Sequence, residues 1–182
     1  LSFSKNRINL IHSFGISRSS NDYYDIIYIY LMDGDFIGRG EAAPSKRYGE
    51  SSEQILSLLE NGIQVPEKYQ SKEDLWDFLK PQLRKIASLE AAVSTAVWDL
   101  SAQKQNIPLY KLFGFENTIL PKTSYTISIG ELDELDSKLE ESKKCSILKV
   151  KLGTPNNDKE IIRQIRRRTD NLIRIDANEG WD

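Results

Sequence analysis

Ile, Leu and Tyr alternate with polar residues over 5–11 and again over 23–31, and each stretch predicts a β-strand. The polar, Gly- and Ser-bearing stretch between them, 13–22, predicts a long connecting loop. Asp33-Gly34 predicts a tight turn into a third strand near 35–42, completing a three-stranded antiparallel meander. Helical spacing takes over next. Ser51 with Gln54 three residues on is a capping box, and Gly62 can close that helix. Ser71 opens a second helix, ended or kinked by Pro81. Ser88 is expected to cap a third over 89–105, with Leu89, Ala92, Val93, Ala96, Val97 and Leu100 on one face. Pro108 breaks it, and a short turn at 109–113 ends at Gly114.

After residue 120 the order changes to strand (125–129), acidic helix (131–143), strand (147–152), basic helix (156–169) and strand (172–177). Strands followed by helices define an α+β unit, whereas this alternation defines βαβ units with parallel strands. The expected division is therefore 1–115 and 120–182, with the boundary near 115–121.

Composition narrows the function classes. Of 182 residues, 39% are hydrophobic and 29% charged, with a formal net charge of −2, as in a soluble globular protein. No apolar run approaches the ~20 residues that cross a bilayer, so no membrane role is expected. Nothing forms the basic stripe of a nucleic-acid partner. The single cysteine, Cys145, excludes an internal disulfide and a cysteine-rich zinc site, and fits a reducing cytoplasm. No signal peptide opens the chain, and Leu1 in place of methionine predicts that the native N-terminus lies upstream.

The strand Ile147-Leu148-Lys149-Val150-Lys151-Leu152 carries the clearest chemistry. Side chains alternate faces, so Leu148, Val150 and Leu152 share the face expected beneath helices. Lys149 and Lys151 share the other, roughly 7 Å apart at ~3.3 Å per residue. In the next strand Ile173, Ile175 and Ala177 oppose Arg174, Asp176 and Asn178. Parallel sheets are normally apolar on both faces, and desolvated charges are costly unless paired or liganded. A solvated face or a simple Lys–Asp ion pair would account for this pattern. So would catalysis, because Lys151, Asp176 and Asn178 end their strands on the side where β/α barrels carry their sites. A carboxylate there suits Mg²⁺, and a second cation nearby disfavours a lysine's ammonium form.

Other conspicuous residues have structural readings. His12 stands alone and reads as a polar strand-end residue, Cys145 as packing near a strand start, and Trp76 and Trp98 as helix core. Arg166-Arg167-Arg168 complements a helix C-terminus. Gly38-Arg39-Gly40 is followed by Glu-Ala-Ala-Pro rather than a phosphate loop, which excludes a nucleotide site.

Lys149-Val-Lys151 followed by Asp176-Ala-Asn178-Glu-Gly-Trp181 resembles the enolase superfamily in its muconate-lactonizing branch. Gly38-Arg-Gly-Glu41-Ala-Ala-Pro44-Ser-Lys-Arg47-Tyr48-Gly49-Glu50 resembles the end of its capping sheet. Ala91-Ala92 through Trp98-Asp99-Leu100, Ile107 to Gly114, and Ser124 to Ile129 resemble the helix leading into its barrel and the first barrel strand. The wording around Gly-Glu-Ala-Ala-Pro-Ser is most similar to dipeptide epimerases of the Ala-Glu type.

The resemblance implies an α+β capping domain followed by an incomplete (β/α)₈ barrel of about three strands. It also implies Mg²⁺-dependent epimerisation of dipeptides. A lysine removes the proton α to a metal-bound carboxylate, an enediolate forms, and a lysine on the opposite face returns a proton. Lys151 would be the base, Lys149 its electrostatic companion, Asp176 a metal ligand and Asn178 the group orienting that ligand. The loop 13–22, with Phe14, Ile16 and Arg18, would select substrate, and Tyr48 and Ser128 would line the mouth. Homo-oligomers are implied too. Muconate cycloisomerase, o-succinylbenzoate synthase and N-acylamino-acid racemase share the half-reaction, and a non-catalytic truncated fragment is a further alternative. Since a whole barrel needs eight strands, the remaining carboxylates and the second lysine are expected beyond Asp182. The segment alone is expected to be inactive and prone to aggregate at its open sheet edge.

Overall fold

The computed structural model describes residues 1–16, 19–116, 119–128, 134–154 and 156–181. It divides into two compact units, one of Leu1–Ile8 with Tyr24–Thr118, the other of Asn9–Tyr23 with Ile119–Asp182.

Strands β1 (Ser2–Ile16), β2 (Ser19–Asp33) and β3 (Phe36–Ala42) form one sheet ordered β1-β2-β3, and the first unit builds on β3 with the start of β1, up to Ile8, and the part of β2 from Tyr24 on. β2 and β3 are antiparallel, with Ile27 opposite Ala42 and Asp33 opposite Phe36. The turn between them runs through Gly34, at φ 58°. The first two strands run much further than the apolar pattern predicts, and most of the expected loop 13–22 is strand. The ladder needs only backbone N–H and C=O groups, so polar side chains do not end it. Ser13 Oγ instead donates to the Asp22 carboxylate.

Helices α1 (Ser52–Glu60) and α2 (Lys72–Leu79) begin as the capping residues predict. Ser51 Oγ accepts from the Gln54 amide at 3.2 Å and Ser71 Oγ from the Asp74 amide at 3.1 Å. Pro81 sits in the single 3₁₀ turn that follows α2. Helix α3 (Ala87–Lys104) starts one residue before Ser88, so Ser88 is not its cap. The carboxylate of Glu50 serves that end from outside the helix, accepting from the Ser88 amide at 3.3 Å. Burial pushes the Glu50 carboxyl up. Hydrogen bonds from Ser88, Ala87 and Ser45 outweigh that and hold it below the ordinary glutamate value.

Helix α3 lies directly on β3. A Cβ added at Gly40 would fall 1.8 Å from the Ala92 carbonyl oxygen, and one at Gly38 would fall 2.0 Å from that of Ala96. The Gly-x-Gly spacing is therefore a two-step groove for a helix backbone, and Ala92, Val93, Ala96 and Val97 join Ile27, Ile29 and Leu31 in the core. Trp76 packs against this core only partly buried. The short helix α4 (Leu109–Leu112) follows Pro108.

The second unit holds a parallel sheet of β4 (Tyr125–Ile127), β5 (Ile147–Lys151) and β6 (Leu172–Asp176) in that order, with α5 (Leu135–Glu141) and α6 (Asp158–Arg166) as connections. Leu148, Val150 and Leu152 are buried with Leu135, Ile161 and Ile165. Ile175, expected under the same cover, is 50% exposed, because β6 ends the sheet among the described residues.

Gly40→Ala is expected to lower stability by about 2–3 kcal/mol, since backbone must move to admit the methyl group. A urea titration against the parent chain measures it, and an unchanged midpoint would contradict the close approach of α3 to β3.

Candidate active site

Parallel pairing sets Lys151 opposite Asp176 and Lys149 opposite Arg174. With β5 burying its alternate residues, both lysines emerge on the other face. Lys149 Nζ and Lys151 Nζ each lie 2.8 Å from the same oxygen, Asp176 Oδ2. Lys151 Nζ also donates to Asn178 Oδ1 at 2.7 Å, and the Asn178 amide donates to Asp176 Oδ1 at 3.0 Å. The lysines differ in setting: the Lys151 side chain is 9% exposed and that of Lys149 41%. Lys149 first, then Lys151, holds the Asp176 carboxyl far below the ordinary carboxylate range.

The backbone beyond β6 is bent to suit. Asn178 and Glu179 both have left-handed φ, 48° and 65°. For a glutamate this costs on the order of 1 kcal/mol or more, a kind of strain that concentrates at functional sites. Gly180 then meets the loop after β5, where an added Cβ would fall 2.8 Å from the Gly153 Cα.

One organiser of this end escaped the sequence reading. Asp158 accepts from the Gly153 amide at 3.0 Å, the Thr154 amide at 3.0 Å, the Thr154 hydroxyl at 2.8 Å and Trp181 Nε1 at 2.7 Å. Burial pushes its carboxyl up, and those donors outweigh burial and leave it lowered. An acidic first residue of α6 was a local signal for a helix start, but its bond to Trp181 joins loops far apart in sequence.

The remaining candidates are placed as follows. Phe14 is half-buried in β1, and Ser128, just past β4, donates to the Ser13 carbonyl at 3.3 Å, all within the second unit. Tyr48, in the first unit, is 74% exposed in a 3₁₀ turn. Arg18 lies outside the described residues, as does Ile129. The structure thus brings together Lys149, Lys151, Asp176 and Asn178, and separately Ser128 with the strand bearing Phe14. His12 is not a strand-end residue: it lies inside β1, with Nε2 at 2.7 Å from Glu141 Oε1.

Asp176 offers the hard oxygen that Mg²⁺ prefers. Among the described residues no three His, Cys, Asp or Glu side chains gather at one point. Asp176 therefore fits as one ligand of such an ion, not as a complete site. No helix among the described residues is long and apolar enough to cross a membrane.

A meander with helices packed on it, followed by parallel βαβ units with charged groups at their strand ends, is the architecture of the enolase superfamily. A family model, "Mandelate racemase / muconate lactonizing enzyme, N-terminal domain", matches residues 6–114, and the chain belongs to this family. It is 34% identical over its whole length to an L-Ala-D/L-amino acid epimerase of a Maribacter species, covering 53% of that protein. It is 32% identical, again over its whole length, to the L-Ala-D/L-Glu epimerase of Bacteroides thetaiotaomicron, covering 48%. Among solved structures, the dipeptide epimerase of Cytophaga hutchinsonii complexed with Mg and D-Ala-L-Val superposes with a TM-score of 0.84 at 26% identity. That match takes in 99% of this chain and 51% of the other. The chain spans about half the length of the curated relatives it matches.

The lowered Asp176 carboxyl contributes stability at pH values above its unfolded range, near 3.9, and loses it as pH falls through its folded value. Asp176→Asn is expected to destabilise at pH 7 and to flatten the acid limb of stability below about pH 4. Urea midpoints at pH 7 and pH 3 test this, and parallel curves for the two proteins would refute the coupling.

Proposed function

We propose that these residues serve a Mg²⁺-dependent epimerase of dipeptides, of the L-Ala-D/L-Glu kind. One observation carries the reading: two lysines and the backbone amide of Asn178 converge on the carboxylate ending the next parallel strand. Whole-length similarity to proteins named as epimerases supports it. In this reading residues 1–115 form a capping domain and 120–182 the first part of the barrel.

The chemistry follows from the side chains. Lys151 is the group that takes the proton from the carbon α to the substrate carboxylate. Its amine is held within 2.8 Å of Asp176 and Asn178, which fixes its direction. As an ammonium it cannot accept a proton, so this role belongs to its neutral amine. Mg²⁺, when bound, would supply positive charge against the carboxylate as the α-proton leaves, and Asp176 is the residue here that would hold it. Lys149 shares the Asp176 oxygen with Lys151 and stands beside it as its electrostatic companion. Asn178 keeps Asp176 and Lys151 in register with one another. Phe14, Arg18, Tyr48 and Ser128 are assigned to substrate contact. Inversion needs a proton donor on the opposite face and further carboxylates, so the described residues provide one face of the reaction.

The test uses the protein expressed from its whole reading frame, incubated in D₂O with Mg²⁺ and a dipeptide library. Mass spectrometry should find α-deuterium in at least one dipeptide, and Lys151→Ala should abolish exchange from one stereoisomer. No exchange into any dipeptide would remove the substrate class while leaving family membership standing. Exchange at parental rate in Lys151→Ala would remove its role as base.

A further inference from the structure

Helix α6 opens with Asp158, yet the carboxylate of that residue takes its donors from outside the helix. Asn157, just before it, makes no side-chain cap bond. Asp158 Oδ1 reaches back to the Thr154 amide at 3.0 Å and the Thr154 hydroxyl at 2.8 Å. Its Oδ2 accepts from the Gly153 amide at 3.0 Å and from Trp181 Nε1 at 2.7 Å. Gly153 and Thr154 follow closely on Lys151, and Trp181 follows closely on Asp176 and Asn178. One carboxylate therefore ties the loop after β5 to the loop after β6, all within the second unit.

The two loops begin where the lysine and carboxylate cluster ends. The Leu152 amide donates to the Asp176 carbonyl at 3.1 Å, so the strands stay paired as far as Asp176. Beyond it the Gly180 amide donates to the Ala177 carbonyl at 2.8 Å, closing a turn in which Asn178 and Glu179 are left-handed. Trp181 leaves that turn directly. Holding its indole holds the turn from which Asn178 meets both Lys151 and Asp176.

We propose that Asp158 is a positioning residue: its bond to Trp181 holds the Asn178 turn against the loop after Lys151, and so fixes the direction of the Lys151 amine. This role rests on the proton transfer proposed above for Lys151.

The chemistry of the clamp calls for a carboxylate. Ionised, it accepts on both oxygens and donates from neither. Burial pushes the Asp158 carboxyl up, but its donors outweigh burial and leave it lowered, so it is an anion at neutral pH. Asparagine has one acceptor oxygen. It can serve Thr154 or Trp181, and its NH₂ group then faces a donor on the other side. Asp158→Asn therefore parts the loops at nearly unchanged size. Trp181→Phe removes the same bond from the far side and leaves Gly153 and Thr154 their acceptor. A residue that only starts a helix would alter stability alone. One that aims a base alters rate, because a displacement of about 1 Å can cost on the order of a hundredfold.

The test uses the protein expressed from its whole reading frame, in D₂O with saturating Mg²⁺ and the dipeptide into which the parent exchanges fastest. Asp158→Asn and Trp181→Phe should each lower kcat for α-deuterium exchange about tenfold or more and leave KM within about twofold. The double variant should be no slower than the slower single one, since both changes remove one bond. In a ¹⁵N spectrum the Trp181 indole N–H, identified by its absence from Trp181→Phe, should move upfield in Asp158→Asn. Parental kcat in Trp181→Phe, a loss confined to KM, losses that multiply in the double variant, or an unmoved indole signal would each overturn the proposal. Trp181→Phe alters an exposed side chain, so it decides the matter even where Asp158→Asn does not fold. A parent that exchanges into no dipeptide refutes the function proposed above and this role with it. A parent that exchanges, beside variants with parental kcat, refutes the positioning role alone.

Discussion

One carboxylate oxygen, Asp176 Oδ2, receives two ammonium groups from the neighbouring strand, and much of the second unit is arranged to make that possible. Lysines at alternate positions of β5 can both reach the polar face only because Leu148 and Val150 are buried on the other. A slip of one residue would invert every side chain and bury the charges beneath Ile161 and Ile165. The register that sets Lys151 opposite Asp176 is therefore held from both faces, by apolar burial on one side and charge pairing on the other.

Charge pairing alone would leave the ends of these strands free to wander, and the loops beyond them limit that. Gly153 and Gly180 bring two loop backbones together where a side chain would not fit. Asp158 gathers donors from both loops. The left-handed Asn178 turns its amide onto Asp176 while its side chain meets Lys151. The strain at Glu179 sits immediately after this clamp, as expected where several short-range bonds over-determine a conformation.

What could be read in the sequence was what depends on near neighbours. The starts of α1 and α2 were legible because Ser51 and Ser71 satisfy amides three residues away. The common face of Lys149 and Lys151 was legible because strand periodicity is fixed, and their meeting with Asp176 needed only the parallel pairing implied by a βαβ pattern. The cap of α3 was not legible, since Glu50 lies 38 residues from Ser88. The length of the hairpin was hidden for a different reason: its outer part is polar, and periodicity reports strands only where one face is buried. His12 looked solitary because its partner, Glu141, is 129 residues away.

Family membership and candidate chemistry rest on different parts of the chain. The family model matches 6–114, where glycines admit a helix onto a sheet, whereas the lysines, Asp176 and Asn178 all follow residue 145. A fold fixes where strand ends lie and says little about what is placed on them. The argument for a reaction must therefore come from the side chains. A sheet face needing only solubility would be satisfied by scattered charges. Two amines trained on one oxygen, with an asparagine bracing acid and base together, constrain geometry far beyond that need. That excess of constraint, more than the overall likeness, supports the proposal that Lys151 transfers a proton with Lys149, Asp176 and Asn178 arranged around it.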